Sequence, residues 1–466
     1  MKKHGISTQK ELAEQLGFSK NQLSMLLSPS FNPIKSNAMK LCEKLDVKLE
    51  EITEQLELDL DFGEDDDGNS KSSIIYKKGK KITDQTANDN NDFVEVRGIT
   101  PNKKYSVLEL FAGAGGLGLG LENAGFDAIG HIEIDKHACQ TLRKNRPNWH
   151  VIEEDIEKVT ENGLENYMDV PDVGELDLLS GGYPCQAFSY AGKKGGLQDA
   201  RGTMFFYYAK ILDKLKPKMF LAENVRGLVN HDGGNTLKTM LEVFSNIGYK
   251  VKWKVLRALD YDVAQKRERI VIVGIRNDLV KKEELEYFFP KPYGYELTLK
   301  DILKDVPKSD GVKYPDTKKK VLDLVPPGGY WRDLPDEIAK DYMGKSYYSG
   351  GGRTGMARRL SWDEPSLTLT CSPAQKQTER CHPDETRPFT VREYARIQSF
   401  PDNWEFDCSM SNAYKQIGNA VPVNMAKAIG LSIVNTLNLI NETGGKNLEQ
   451  INQSVGTNER EYATSQ

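Results

Sequence analysis

The sequence predicts an α/β protein built around a mostly parallel sheet with helices on both faces, with a smaller irregular domain and an all-α N-terminal domain. Short apolar runs alternate with longer amphipathic stretches from Tyr105 onward, and this alternation is typical of βαβ units. The regularity is lost after Pro290, where glycine, proline and aromatic residues accumulate. In the region 1–60, apolar residues instead recur at helical spacing.

Length and composition limit the class of protein. A chain of 466 residues is long enough for about two to four domains. The formal net charge of −5 gives no global attraction to phosphate, so contact with nucleic acid requires local basic patches. None of the six cysteines forms a C-x-x-C pair, so we expect neither a metal site nor a disulfide framework. Because no membrane-spanning run or signal peptide is evident, we expect a cytoplasmic protein without a membrane partner.

The N-terminal region is expected to be helical and to bind DNA. Gly17 interrupts the helical pattern and Ser19 is placed to cap the next helix. This helix–turn–helix pattern resembles the DNA-binding domains of phage repressors, in which the second helix enters the major groove. Its start carries Lys20, Asn21 and Gln22, which are expected to bond phosphates and base edges. The alternative is a small helical bundle that binds a protein.

Shifts in composition predict the domain boundaries. The region 61–103 alternates acidic, basic and asparagine-rich stretches with few large apolar residues, so we expect a flexible linker. The polar tail, 441–466, is expected to be disordered. The helix-turn-helix domain then occupies 1–60, the sheet domain occupies 104–290 and 389–440, and the irregular domain occupies 291–388.

Within the sheet domain the elements alternate in order along the chain. The predicted strands are 107–111, 128–134, 176–179, 219–222 and 270–275. The predicted helices are 136–145, 204–215, 237–247, 391–398 and 423–439. In such sheets ligands bind at the carboxyl ends of the strands, so the residues that follow each strand are the candidates for chemistry.

A glycine-rich turn follows the first of these strands. Gly113, Gly115 and Gly118 form a G-x-G-x-x-G pattern, and Glu133 lies twenty positions after the first glycine. This is the dinucleotide-binding fingerprint, in which glycines let the backbone approach the ligand and the acid bonds ribose hydroxyls. On these residues alone the cofactor is NAD or any other molecule that carries adenosine.

Two further strand ends carry candidate residues. Asp155 could accept a hydrogen bond from an adenine amino group while Ile156 covers the ring, although a solvated loop acid is an equally good interpretation. Cys185 directly follows Pro184 at the mouth of a short apolar strand. It is therefore a candidate nucleophile, with a buried structural cysteine as the alternative.

Five motifs occur together in one order. They are the glycine turn, Pro184-Cys185-Gln186, Glu223-Asn224-Val225, Gln265-Lys266-Arg267-Glu268-Arg269 and Gly418-Asn419-Ala420-Val421-Pro422. In this combination the chain resembles the DNA (cytosine-5)-methyltransferase family of bacterial restriction–modification systems. The resemblance extends from residue 105 to about 439, apart from the irregular middle region. One departure is Ile134 after Glu133, where some relatives carry an aromatic residue.

The resemblance implies a Rossmann-like methyltransferase domain that uses S-adenosylmethionine, together with a target-recognition domain at 291–388. The residues that it assigns to the cofactor are Phe111, Gly113, Gly115, Glu133, Asp155, Ile156, Pro184, Asn419 and Val421.

The resemblance also assigns catalytic roles that suit the residue types. The Cys185 thiolate attacks carbon 6 of cytosine, because this addition makes carbon 5 nucleophilic. Glu223 is the acid that protonates ring nitrogen 3. Arg269 holds the O2 atom, and Arg267 contacts phosphate or braces the Cys185 loop.

Double-stranded DNA is the implied partner, with the target cytosine flipped out of the helix. The glycine-rich loop after Cys185 carries Ser189, Lys193 and Lys194, which are expected to contact DNA. Arg353 and the pair Arg358-Arg359 are the basic candidates of the target-recognition domain, whose alternative interpretation is a solvated insert.

The N-terminal domain is expected to bind the operator of the enzyme's own gene, and the resemblance allows a dimer through this domain. A cognate restriction endonuclease is the expected functional partner in the bacterial cytoplasm. Two alternatives from other classes are a non-enzymatic DNA-binding regulator with a decayed catalytic domain, and an NAD oxidoreductase. The intact catalytic motifs argue against the first, and the second explains only the glycine turn.

Overall fold

The computed structural model describes residues 58–64, 70–76, 92–184, 203–283, 285–348 and 354–462. The chain divides into two compact units, Met1–Thr83 and Asp84–Gln466. In the first unit, β1 (Leu58–Glu64) and β2 (Ser70–Tyr76) pair as an antiparallel hairpin. The predicted helix-turn-helix, with Lys20, Asn21 and Gln22, lies outside the described residues.

The hairpin falls largely in the range for which the sequence predicts a flexible linker. Its first strand alternates apolar and acidic residues from Leu58 to Phe62, and this period of two suits a strand. The linker prediction rests on the charged and asparagine-rich composition of the range, which does not reveal this alternation.

The second unit contains eleven of the described strands and all of the described helices. Its strands are β3 (Phe93–Val94), β4 (Tyr105–Leu110), β5 (Phe126–Glu133), β6 (Val151–Glu153), β7 (Leu178–Gly181), β8 (Met219–Val225), β9 (Tyr249–Arg257), β10 (Gln265–Lys266), β11 (Glu268–Arg276), β12 (Phe289–Pro290) and β13 (Ser366–Leu367). Its helices are α1 (Gly116–Asn123), α2 (Lys136–Asn145), α3 (Ile156–Asn162), α4 (Met204–Leu215), α5 (Asn235–Ile247), α6 (Asn277–Glu283), α7 (Leu299–Ile302), α8 (Asp316–Leu322), α9 (Asp336–Met343), α10 (Val391–Ile397), α11 (Met410–Asn419) and α12 (Val423–Tyr462).

Seven strands form the central sheet in the order β6-β5-β4-β7-β8-β11-β9. Neighbouring strands are parallel except for β11, which is antiparallel to both β8 and β9. Because of this reversal, the start of β11 lies at the edge where β4, β5, β7 and β8 end, and Arg269 pairs with Val225 in the β8–β11 register. The mostly parallel sheet is confirmed.

The strand β9 was missed by the sequence prediction. Its Lys250, Lys252 and Lys254 alternate with apolar residues, so its apolar signal is diluted. It is an edge strand of the sheet, and lysines are common on such edges because they discourage pairing with other chains.

Two hydrophobic cores cover the two faces of the sheet. Alternate side chains of β4 point to opposite faces, so Leu108 and Leu110 belong to one core and Val107 belongs to the other. The first core includes residues of α3, α4 and α5, and the second includes residues of α1 and α12. The predicted arrangement of helices on both faces is therefore confirmed.

Helix α12 begins where the sequence predicts and continues to Tyr462, into the range for which a disordered tail is expected. That range contains no proline, the strongest helix breaker, and it includes glutamate and glutamine, which are good helix formers. The stretch Met410–Glu442 is long and apolar enough to cross a membrane, but 78% of its most apolar window is buried within the protein. A core helix has this composition.

Glycine allows α1 to approach α12 closely. A Cβ atom at Gly120 would lie 2.7 Å from the Val423 carbonyl oxygen and 2.8 Å from the Lys427 amide nitrogen. One at Gly430, on α12, would lie 2.7 Å from Ala124 Cβ. The contact therefore brings backbone against backbone, and it attaches the C-terminal helix to the glycine turn that precedes α1.

The irregular region has a small core of its own. Its buried apolar residues are Tyr314, Leu322, Val325, Trp331, Leu334, Ala339, Met343, Met356, Ala357 and Cys381. A buried carboxylate, Glu379, accepts hydrogen bonds from Tyr342 and the Ala357 amide and pairs with Lys318. Arg359 is 4% exposed and donates to the carbonyls of Leu322 and Val325, among others. The predicted contact of Arg359 with DNA is therefore wrong, because its side chain is buried and bonded to backbone carbonyls inside the fold.

We predict that Gly120→Ala lowers the midpoint of thermal unfolding. Alanine favours an isolated helix over glycine by about 1 kcal/mol, but here the added methyl group meets the backbone of α12, and overpacking costs about 1–3 kcal/mol. Differential scanning calorimetry measures the change. The control is Gly227→Ala, because nothing lies within 4 Å of the Cβ position at Gly227. An unchanged or raised midpoint for Gly120→Ala would contradict the tight α1–α12 contact.

Candidate active site

A cavity of about 620 Å³ opens at the carboxyl edge of the sheet. Its walls are the residues that follow β4, β5, β7 and β8, the start of β11, and the end of α11. The predicted site residues that line it are Phe111, Gly113, Glu133, Asp155, Ile156, Pro184, Glu223, Arg267, Arg269, Asn419 and Val421. Residues from nearly the full length of the sheet domain thus meet in one space.

The carboxylate of Glu133 connects two turns at one end of the cavity. Its Oε2 atom accepts a hydrogen bond of 2.7 Å from the Gly113 amide, and its Oε1 atom accepts one of 2.8 Å from the Asp135 amide. Burial raises the pKa of Glu133, although these amides oppose the shift. Gly113 has a φ of 54° and nothing within 4 Å of its Cβ position, so its backbone is open to a ligand.

The other two glycines of the fingerprint have packing roles. A Cβ atom at Gly115 would lie 2.8 Å from Leu142 and 3.0 Å from Trp404, and this residue is not among those that line the cavity. Gly118 faces the buried pair Glu109–His131, whose side chains are 2.8 Å apart. The prediction that Gly115 contacts the cofactor is therefore not supported by its position.

Asp155 and Ile156 line the cavity beyond the end of β6. Asp155 is the N-cap of α3, and its Oδ1 atom accepts a hydrogen bond of 2.9 Å from the Glu157 amide. Ile156 is buried, whereas Ile134 is 65% exposed and also lines the cavity. Two isoleucines therefore provide apolar surface at the end that the sequence assigns to a nucleoside.

The opposite end contains a buried ion pair. Arg269 Nε lies 2.8 Å from Glu223 Oε1, and both side chains are nearly buried. Burial raises the pKa of the Glu223 carboxyl, while the positive charges of Arg269 and Arg267 act against that shift. The antiparallel pairing of β8 and β11 places the two residues side by side, so an acid and a cation face the cavity together.

Arg267 lies behind this pair and is 1% exposed. Its guanidinium donates to the carbonyl oxygens of Leu369, Gly418 and Asn419, at 3.3, 3.1 and 3.4 Å. Burial and the neighbouring Arg269 lower its pKa. Of the two predicted roles, a phosphate contact or bracing of the Cys185 loop, this position offers no support for the first, because the side chain is bonded to the interior; it braces the wall that carries Asn419.

The approach to Cys185 is also held in place. Asn224 Nδ2 donates a hydrogen bond of 2.8 Å to the carbonyl oxygen of Tyr183, two residues before the cysteine. Pro184 lines the cavity. Cys185 lies outside the described residues, as do Ser189, Lys193, Lys194 and Arg353.

Arg358 belongs to the irregular region and is largely covered. Its side chain is 15% exposed, its guanidinium lies 5.9 Å from the centre of the Tyr330 ring, and it is 3.6 Å from the Glu364 carboxylate. A DNA contact through Arg358 would have to replace the Glu364 pairing. The structure therefore does not present it as an open basic patch.

Sequence reasoning missed several residues of the cavity wall. Asp135 and Lys415 line it although no motif includes them, and Asn224 and Gln416 line it although the sequence assigned them no role of their own. A signal was available for Asp135, since it directly precedes the predicted helix at 136 and is a preferred N-cap residue type. Lys415 lies three residues before the motif that begins at Gly418, but nothing in the sequence indicates its partner.

Comparisons with known proteins agree with this geometry. The chain matches the family model of C-5 cytosine-specific DNA methylases over residues 105–435, and the model of Cro/C1-type HTH DNA-binding domains over residues 1–55. The Type II methyltransferase M.Sau96I of Staphylococcus aureus is 56% identical, over 95% of this chain and 97% of its own. M.Eco47II of Escherichia coli is 58% identical, over 73% of this chain and 81% of its own.

Among solved structures, a protein described as a DNA modification methyltransferase encoded within a prophage (E. coli) has a TM-score of 0.51 at 26% identity. The match covers 72% of this chain and 100% of that one. The family model spans well over half of the sequence, and the Rossmann-like fold expected from the resemblance is confirmed. The chain belongs to the family of C-5 cytosine-specific DNA methylases.

Proposed function

We propose that this cytosine methylase transfers a methyl group from S-adenosylmethionine to carbon 5 of a cytosine that is flipped out of a short, specific duplex sequence. The observation that carries the proposal is the single cavity that joins a nucleoside-type end at Glu133 to a buried acid–cation pair, Glu223 and Arg269. A methyl donor and a base can meet only if both ends open into one space.

The residues present fit the cofactor. A volume of about 620 Å³ is in the range of small-molecule sites. Glu133 can accept hydrogen bonds from ribose hydroxyls, Gly113 leaves its backbone open, and Ile134 and Ile156 offer apolar surface to an adenine ring. Asp155 and Asn419 supply further polar groups to the lining of the cavity. When bound, the cofactor supplies an electrophilic methyl group.

Cys185 would activate the base. Its thiolate adds to carbon 6, which forms a sulfur–carbon bond and moves the electrons of the 5,6 double bond to carbon 5. The described residues support this role by their anchoring of the preceding turn, since the Asn224 side chain bonds the Tyr183 carbonyl. Once carbon 5 carries the methyl group, a base removes its proton and the cysteine is expelled, which restores the double bond.

Glu223 and Arg269 would hold the base and balance its charge. A protonated Glu223 donates its proton to ring nitrogen 3 as the thiolate adds, and its raised pKa favours that protonated form. Arg269 donates to the O2 atom of the ring. In the present arrangement the two side chains bond each other, so a base that enters the cavity would replace this contact with its own N3 and O2 atoms.

The N-terminal domain and the relatives extend the proposal to a biological role. M.Sau96I and M.Eco47II are Type II methyltransferases, so we infer that this enzyme protects DNA from a cognate restriction endonuclease. The Cro/C1-type match at residues 1–55 supports binding to the operator of its own gene. The region 291–388 would recognise the target sequence, and the enzyme would act in the bacterial cytoplasm.

We predict that Cys185→Ser lowers methylation by several orders of magnitude but leaves DNA binding intact, because a hydroxyl is a far weaker nucleophile than a thiolate. Transfer of tritiated methyl groups from S-adenosylmethionine to DNA measures the rate. A fluorinated cytosine substrate should trap a covalent adduct with the wild type. The control Cys139→Ser should also form the adduct, because burial raises the pKa of the Cys139 thiol to about 12 and this thiol is not expected to act as a nucleophile. An adduct that also forms with Cys185→Ser would overturn the assignment.

We predict that Glu223→Gln lowers kcat by about 10²–10⁴-fold, as expected for the loss of a general acid. Because Glu223 must be protonated, wild-type kcat/KM should fall as pH rises through its raised pKa, and this limb should disappear in the variant. A pH profile of tritium transfer is the measurement. Glu242→Gln, an exposed glutamate paired with Lys238, is the matched control and should retain the limb.

We predict that the triple substitution of Lys20, Asn21 and Gln22 by alanine in the full chain abolishes binding to the promoter of the enzyme's own gene, because these side chains start the expected recognition helix. Gel-shift titration measures promoter binding. Cys185→Ser should bind the promoter as the wild type does. If the triple variant binds with unchanged affinity, the regulatory role is excluded for this helix.

A further inference from the structure

We propose that Lys415 is a positioning residue for the methyl donor: through its ion pair with Asp135 it fixes the turn that holds the Glu133 carboxylate. The inference rests on the proposed use of S-adenosylmethionine. Lys415 belongs to α11, whereas Asp135 belongs to the turn between β5 and α2, and both line the cavity. The two residues therefore connect two elements that are far apart in the sequence and that both line the cavity.

The two carboxylate oxygens of Asp135 have different partners. Its Oδ1 atom caps α2 by accepting from the amides of His137 and Ala138, at 3.0 and 3.3 Å. Its Oδ2 atom lies 2.9 Å from Lys415 Nζ. One oxygen thus fixes the local helix, while the other binds a distant element of the chain.

Hydrogen bonds connect Asp135 to the end of the cavity that is expected to bind the cofactor. The Asp135 amide donates to Glu133 Oε1, and the Gly113 amide donates to Glu133 Oε2. A continuous series of contacts therefore runs from α11 through Asp135 and Glu133 to the glycine turn. Because the Asp135 amide is bonded to Glu133 Oε1, a shift of Asp135 would move the carboxylate that is expected to bind ribose.

Lys415 and Asp135 form an ion pair that is partly exposed to water. The Asp135 carboxylate stays ionised, since hydrogen bonds from Lys415 and the helix amides lower its pKa although burial opposes them. The side chains of Lys415 and Asp135 are 55% and 32% exposed, so water screens their attraction. Loss of the pair is therefore expected to disturb the turn locally without unfolding the domain.

The experiment measures the dissociation constant of S-adenosylmethionine by isothermal titration calorimetry with the full chain. We expect Lys415→Met to raise it about three- to fivefold, the range of a partly exposed ion pair. Lys415→Arg should restore the wild-type value. The dissociation constant for target DNA and kcat at saturating cofactor should stay unchanged, which a general structural defect would not allow. Because salt screens the ion pair, high salt should reduce the difference in this dissociation constant between Lys415→Met and the wild type.

Two further variants isolate the pair. Asp135→Asn keeps a good N-cap residue but removes the charge, so it should raise the dissociation constant of S-adenosylmethionine as much as Lys415→Met does. The double variant should bind S-adenosylmethionine no more weakly than either single variant. Lys144→Met is the control for loss of a lysine nearby, because Lys144 pairs with Glu405 at 3.6 Å and neither residue lines the cavity.

The outcomes separate this inference from the proposed function. If the wild type binds S-adenosylmethionine and Lys415→Met binds it equally well, or no more weakly than Lys144→Met does, the positioning role is wrong and the proposed function stands. A fall in kcat with an unchanged dissociation constant also overturns the role. If the wild type binds no S-adenosylmethionine, the proposed function and the inference are both wrong.

Discussion

The reversed direction of β11 fixes the position of the reactive groups. In a wholly parallel sheet, the start of a strand faces the edge opposite to the ligand. Here β11 runs against β8, so Arg269 lies beside the end of β8 and reaches Glu223 across the register. Two charged side chains in a nearly dry environment need each other, because an unpaired charge there is costly. The direction of β11 therefore brings an acid and a cation to the cavity, and it also pairs them so that neither charge is buried alone.

The walls of the cavity depend on contacts between distant parts of the chain. Gly120 lets α12 approach α1, and Arg267 ties the start of β11 to the carbonyls of Gly418 and Asn419. The first contact depends on the absence of a side chain at Gly120, and the second is made by the long, buried side chain of Arg267 to backbone carbonyls. They bring the C-terminal helices against the sheet without filling the space that a ligand needs.

Much of this arrangement could be predicted from the sequence. The helices 136–145 and 204–215 were placed correctly, since their amphipathic patterns are strong and their ends are capped or interrupted. The roles of Gly115 and Arg267 could not be predicted, because each depends on partners far along the chain. Gly115 packs against Leu142 and Trp404, and Arg267 donates to the carbonyls of Leu369 and Gly418. A motif shows which residue type is present but not which atoms surround it.

The contact between Asp135 and Lys415 spans 280 positions of the sequence. At a synthesis rate of about 5–20 residues per second, the second residue leaves the ribosome roughly 15 s to 1 min after the first. Throughout that interval a nascent chain has Asp135 and lacks the residues of α11 that line the same cavity. The cavity of a newly made chain is therefore complete only after the end of α11 has been synthesised, a wait that follows from the order of the elements along the chain.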